Sequence, residues 1–209
     1  MITWTKRFRI WTKWNKDMSN KLVLDLETQK DFAEAGGRSR HQHLRVSVAG
    51  VYSYAADQYL VFEEKDLHRL GELLHAADQV IGFNVRSFDY KVLAPYLNFS
   101  LAGIPTLDIL EEIEKVLGHR IGLSVVATAT LGQGKSGTGM EAIRLWKEGR
   151  IPELKEYCLD DVRLTRAIYE YGQANGKLLY KDFFETREIP VNFAEPLKRT
   201  NVARQASLF

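Results

Sequence analysis

The sequence predicts an α/β fold, a mixed β-sheet flanked by helices. Three observations predict it. The apolar runs Leu22–Leu26 and Val80–Phe83 are too short for core helices and read as buried strands. Between them, the Val- and Tyr-rich stretch 44–54 turns at Ala55-Ala56-Asp57 into residues 58–62, which reads as an antiparallel hairpin. After them, helical and strand patterns alternate and then give way to helices, the order of an α/β layer architecture.

The elements follow in order. Residues 1–20 stand apart as an extension. Lys6, Arg7, Arg9, Lys13 and Lys16 are interleaved there with Trp4, Trp11 and Trp14. Rings and cations so mixed suit a surface that tracks a nucleic-acid strand. An edge strand or frayed terminus, or a natural start at Met18, fits equally. Residues 21–193 form one expected domain. Within it, 31–43 (with Gly36-Gly37, Arg38, Arg40, His41 and His43) reads as a loop. Leu67, Leu70, Leu73, Leu74 and Ala77 recur at helical spacing over 65–77. Helices are expected over 87–97, 108–118, 123–131 and 140–148, with a short strand at 104–107 and a Gly-rich loop at 132–139. Pro152 opens a long helix running to about Gly172. Residues 177–193 read as paired strands and 194–209 as a tail that starts with a polar linker.

Composition excludes several classes. The chain has 209 residues, enough to bury about 70% of its unfolded surface without disulfide staples. Cys158 is its single cysteine, which suits a reducing compartment, so a cytoplasmic location is expected. The 45% hydrophobic and 27% charged residues are those of a globular protein, not a disordered chain. The net charge of +2 does not announce a nucleic-acid binder. No apolar run reaches the ~20 residues a membrane span needs, and no signal peptide is read.

The chemistry sits in three acidic clusters. Asp25 and Glu27 are two residues apart, so on a strand they project from one face. Side by side they repel, and a hard cation such as Mg²⁺ or Mn²⁺ relieves the conflict. Asn84, Phe88 and Asp89 follow the second buried strand, with Asp89 in the first turn of the next helix. Tyr157 and Asp161 lie at i and i+4 of the long helix and share a face, whereas Asp160 points about 100° away. Each cluster alone fits an ordinary surface acid.

Together, the order Asp-x-Glu, Asp, Tyr-x-x-x-Asp resembles the DEDD superfamily of 3′–5′ exonucleases, which share a ribonuclease H-like fold. The match spans roughly residues 20–175. The tyrosine four before the last acid resembles the tyrosine subclass, DEDDy; the histidine subclass has His five before that acid, where this chain has Glu156. The stretch Leu123–Trp146 is similar to a bacterial group of predicted exonucleases that also occurs fused to helicases. No helicase motif is present here.

The resemblance implies that Asp25, Glu27, Asp89 and Asp161 hold two divalent ions, Mg²⁺ or Mn²⁺. Asp25 would bridge them, and Tyr157 would position the attacking water. Asn84 and Phe88 would contact the terminal nucleotides. It implies hydrolysis of single-stranded 3′ ends, DNA favoured over RNA, in repair or replication, releasing nucleoside 5′-monophosphates. An RNA 3′-end trimmer uses the same acids. A non-catalytic nucleic-acid-binding or adaptor module is the reading from another class, and the intact acids argue against it.

Other features are decoys. Gly132-Gln133-Gly134-Lys135-Ser136 lacks the first glycine of a phosphate loop, since Ala129 stands there, so no nucleotide cofactor is expected. Lys135 reads as a solvated loop residue. His41-x-His43 lacks further ligands nearby, and Cys158 reads as packing. Finally, Gln205, Leu208 and Phe209 in the terminal Arg-Gln-Ala-Ser-Leu-Phe resemble the peptide by which bacterial polymerases and repair enzymes dock on the sliding clamp. Apolar anchors and an oriented amide suit such a pocket.

Overall fold

The computed structural model describes residues 19–134, 137–182 and 185–193. The N-terminal tryptophans and basic residues, Met18, Lys135 and the Gln205–Phe209 tail lie outside them.

Five strands form the main sheet: β1 (Lys21–Thr28), β2 (Val46–Ser53), β3 (Gln58–Glu63), β4 (Gln79–Gly82) and β5 (Thr106–Asp108), in the order β3-β2-β1-β4-β5. β1 pairs antiparallel with β2 and parallel with β4, so the sheet is mixed, as the sequence predicts. The helices are α1 (Leu67–Ala76), α2 (Asp89–Leu93), α3 (Ile109–Leu117), α4 (Leu123–Leu131), α5 (Gly139–Lys147) and α6 (Ile151–Asn175). A separate hairpin, β6 (Lys177–Lys181) with β7 (Thr186–Pro190), closes the described chain. Among the described residues, no helix is long and apolar enough to cross a membrane.

β1 is buried on both faces, and its period of two sorts the core. Leu22, Leu24 and Leu26 pack with α1 and α2 through Leu67, Leu70, Leu74 and Leu93. Val23 faces the other layer, with Ile109, Val126, Val162 and Ile168 from α3, α4 and α6. Asp25 and Glu27 therefore continue the Val23 row toward α6. Val23 pairs with Ile81 and β4 ends at Gly82, so Asp25 lies just past the point where β4 leaves the sheet. Ligands of α/β sheets bind at such switch points, beyond the carboxyl ends of parallel strands.

α6 crosses the sheet at Gly50, the β2 partner of Asp25. A Cβ there would stand 2.9 Å from Val162 Cγ2 and 3.0 Å from Cys158 Sγ. The glycine thus sets how closely the helix approaches the acidic strand end. Cys158 is fully buried, and its thiol faces the Asp25 carbonyl at 3.7 Å. Burial first, then the charges of Asp25, Glu27 and Asp161, push that thiol well up, which fits packing rather than nucleophilic chemistry.

Two expected elements are redrawn. The helix expected over 87–97 is a short α2 followed by a 3-10 turn, Ala94–Tyr96, because Pro95 has no N–H for the helical ladder. The strand expected at 104–107 is β5 at 106–108. The 3-10 turn Leu101–Gly103 runs up to Ile104, and Pro105 offers only its carbonyl, which accepts from the Val80 N–H.

Candidate active site

Carboxylate oxygens of Asp25, Glu27 and Asp161 all lie within 4.8 Å of one another. Glu27 is 7% exposed and Asp161 2%. The helical phase of α6 decides which of two adjacent acids enters. Asp161 faces the sheet, whereas Asp160 lies on the outside and pairs with Arg163 at 2.6 Å. Three carboxylates this close repel in the absence of a cation. Their all-oxygen donor set fits Mg²⁺ or Mn²⁺.

Asp89, 4% exposed, is not one of the three but feels the charges of Asp25 and Glu27. Its Oδ1 accepts the Leu26 N–H at 3.1 Å, which ties α2 to the residue between Asp25 and Glu27. Burial raises its pKa well above the carboxylate range, and the charge of Asp25 adds to that; Asp108 and Glu27 contribute less. The folded state therefore keeps this proton to higher pH than the unfolded chain does. The stability cost is absent below the unfolded value, about pH 4, and grows as pH rises toward the folded value. Asp89→Asn keeps the Oδ1 acceptor and cannot ionise. In chelator it should melt several degrees above wild type at pH 7.5, and the gain should vanish near pH 4. Mg²⁺ should then raise the melting temperature of wild type more than that of the variant. Differential scanning calorimetry at the two pH values checks this, and an equal difference at both would refute it.

Tyr157 sits one helical turn before Asp161, 7% exposed. Its ring packs against Gly137, where a Cβ would stand 3.0 Å from Cε2. The glycine-rich approach to α5 thus lies against the tyrosine. It follows a helix, α4, rather than a strand, unlike a phosphate loop.

Asn84 takes a left-handed backbone, φ 71°. Asn is among the few residues that tolerate this conformation. Its N–H donates to Asp108 Oδ1 at 2.8 Å, and the Arg86 N–H donates to Asp108 Oδ2 at 3.0 Å. The same carboxylate accepts the Leu110 N–H and so caps α3. Asp108, 2% exposed, thereby holds the loop that delivers Asn84, Phe88 and Asp89. Its partners lie 22 and 24 residues away in the chain, so no local spacing marks it for this role.

Two open clefts meet the carboxylates. One, of about 440 Å³, is walled by Asp25, Phe83, Asn84, Arg120 and Leu123. The other, of about 300 Å³, lies on the Glu27 side between Phe32, Phe88, Met140 and Ile143. Phe88 stands in a three-ring group with Phe32 and His41, centroids 5.2–6.1 Å apart, all edge-on. His41, expected in a loop, lies in a short 3-10 turn. Burial first and Lys91 second lower its pKa, so the ring acts here as an uncharged packing surface.

Residues 22–173 match the family model of the RNase H superfamily. The chain belongs to that superfamily. The RNase H assignment agrees with the mixed sheet and with acids gathered at its central strand. In three dimensions the domain is similar to a family B DNA polymerase from the hyperthermophilic archaeon Pyrobaculum calidifontis, with a TM-score of 0.58 and 17% identity. That match covers 74% of this chain and 24% of the polymerase, and at such identity it speaks for the fold. No curated protein matches the sequence.

Proposed function

We propose that this RNase H superfamily member is a metal-dependent 3′–5′ exonuclease that shortens single-stranded nucleic acid, DNA before RNA, and releases nucleoside 5′-monophosphates. The observation that carries the reading is the group Asp25, Glu27 and Asp161, within 4.8 Å, with Tyr157 one turn before Asp161 and Asp89 bonded to the Leu26 N–H between the first two acids.

Asp25, Glu27 and Asp161 would hold the divalent cations, with Asp89 supporting them through the Leu26 backbone. When bound, such cations lower the pKa of water and offset charge on the phosphate under attack. The rest falls to side chains of this chain. A phenol is a poor general base at neutral pH, so the role open to Tyr157 is positioning. It orients the attacking water by hydrogen bonding and does not deprotonate it. The water oxygen joins phosphorus, the bond to the 3′-oxygen of the preceding nucleotide breaks, and that oxygen takes up a proton. Phe88 and Phe32 offer ring surface to unpaired bases, and base–aromatic stacking contributes about 1–3 kcal/mol per base. Asn84 places a side-chain amide on the wall of the other cleft.

The test uses matched 5′-labelled DNA and RNA 12-mers with Mg²⁺, with Mn²⁺ and with chelator. A metal-dependent ladder that shortens from the 3′ end, faster on DNA, is expected. No cleavage by folded protein would sink the reading, and a faster RNA ladder would reassign the substrate. For the tail, the resemblance of Gln205, Leu208 and Phe209 to clamp-docking peptides supports binding to a bacterial sliding clamp. Removal of residues 205–209 should abolish co-elution with the clamp, and retained co-elution would discard that partner.

A further inference from the structure

We propose that Arg120 grips a phosphodiester of the bound strand other than the one being cut, which deepens the nuclease reading and rests on it. Arg120 is the single cation lining the 440 Å³ cleft among the described residues; Asp25 is the acid on the same wall. The cleft is open, and its other lining groups include Phe83, Leu110, Ile121 and Leu123, which leave the guanidinium as its one strong anion-binding group among the described residues. A polyanion that approaches Asp25, Glu27 and Asp161 meets repulsion, and a cation on the cleft wall offsets it.

The guanidinium is held in place before any strand arrives. Its Nη1 donates to Glu114 Oε2 at 3.0 Å, and its Nη2 donates to Asn84 Oδ1. Those contacts use two of the five N–H donors of an arginine. The Glu114 pair is 44% and 41% exposed, so solvent screens it and it exchanges readily. A planar guanidinium matches phosphate oxygens two at a time, and such charge-assisted contacts are about twice as strong as neutral ones. The left-handed Asn84 gains a purpose in this arrangement. Pinned by Asp108, it aims its side-chain oxygen at Arg120 and couples the cation to the loop that carries Asp89.

The experiment measures equilibrium binding of a fluorescent oligothymidylate in chelator, from 50 to 300 mM salt, for wild type and Arg120→Gln. The variant should bind roughly 10–100-fold more weakly, as for a lost charged hydrogen bond. Its log–log salt slope should be shallower by about one, as for one lost phosphate contact. In turnover, KM should rise by a similar factor with kcat within about threefold, the pattern of lost uniform binding. An unchanged salt slope, or a fall in kcat at constant KM, would overturn the assignment. Two further readouts use modified strands on wild-type protein and the conservative variant. Single neutral methylphosphonates walked along the strand should weaken binding at a position other than the terminal linkage, and Arg120→Lys should bind better than Arg120→Gln. Uniform indifference to the walk would overturn the assignment. Absence of cleavage with an altered salt slope would refute the nuclease reading while the phosphate contact stands.

Discussion

Asp161→Asn should leave the fold intact and slow hydrolysis by at least about 1000-fold, which is about 4 kcal/mol of transition-state stabilisation. The substitution preserves size and one oxygen acceptor at a position 2% exposed on the sheet side of α6. It removes one of three negative charges whose oxygens lie within 4.8 Å. In metal-free protein that loss relieves repulsion, so the variant should melt no lower than wild type in chelator. Activity falls because two carboxylates make a weaker oxygen site than three. Asp25→Asn should behave alike. Asp160→Asn is the control, since Asp160 faces outward against Arg163. Single-turnover rates on a 5′-labelled oligonucleotide, with melting curves in chelator, check this. A variant with near-wild-type turnover would remove Asp161 from the site.

Gly50→Val should harm both stability and activity, although residue 50 bears no functional group. Even a Cβ there meets Val162 Cγ2 at 2.9 Å and Cys158 Sγ at 3.0 Å. Val162 is a β-branched helical residue with little rotamer freedom, and Cys158 is fully buried. The helix must move. Such overpacking costs about 1–3 kcal/mol, or roughly 3–10 °C in melting temperature for a chain of this size. The displaced segment carries Tyr157 and Asp161 past Asp25, and a shift near 1 Å at a reacting centre costs on the order of 100-fold in rate. Gly103→Ala is the control, because nothing lies within 4 Å of its added Cβ. Calorimetry and initial rates read both effects, and a Gly50→Val protein as active and stable as the control would show that helix placement tolerates more than the packing implies.

What was legible in the sequence follows from periodicity. The alternation in Leu22–Glu27 puts Asp25 and Glu27 on one face, and the 3.6-residue period selects Asp161 over Asp160. Both rules are local, and both describe the observed strand and helix. Irregular segments carry no such rule. Asp108 holds amides 22 and 24 residues away, a contact that only the packing of β4 beside β5 creates. Arg120 joins the cleft from the turn between α3 and α4, where no pattern marks it. Phe32, His41 and Phe88 meet because the long connection after β1 folds back over α2, a juxtaposition that no spacing along the chain marks. At 87–97 the apolar spacing predicts a longer helix than Pro95 allows.

The most direct test of the central claim is a Mn²⁺ titration followed by the paramagnetic resonance signal of the free ion, with wild type, Asp161→Asn and Asp160→Asn at pH 7.5. Wild type and Asp160→Asn should withdraw Mn²⁺ from solution with equal affinity, and Asp161→Asn should bind at least about 10-fold more weakly, as for a lost ligand interaction. Equal binding by all three proteins, or no binding by wild type, would contradict the assignment of Asp25, Glu27 and Asp161 as a metal-dependent catalytic centre.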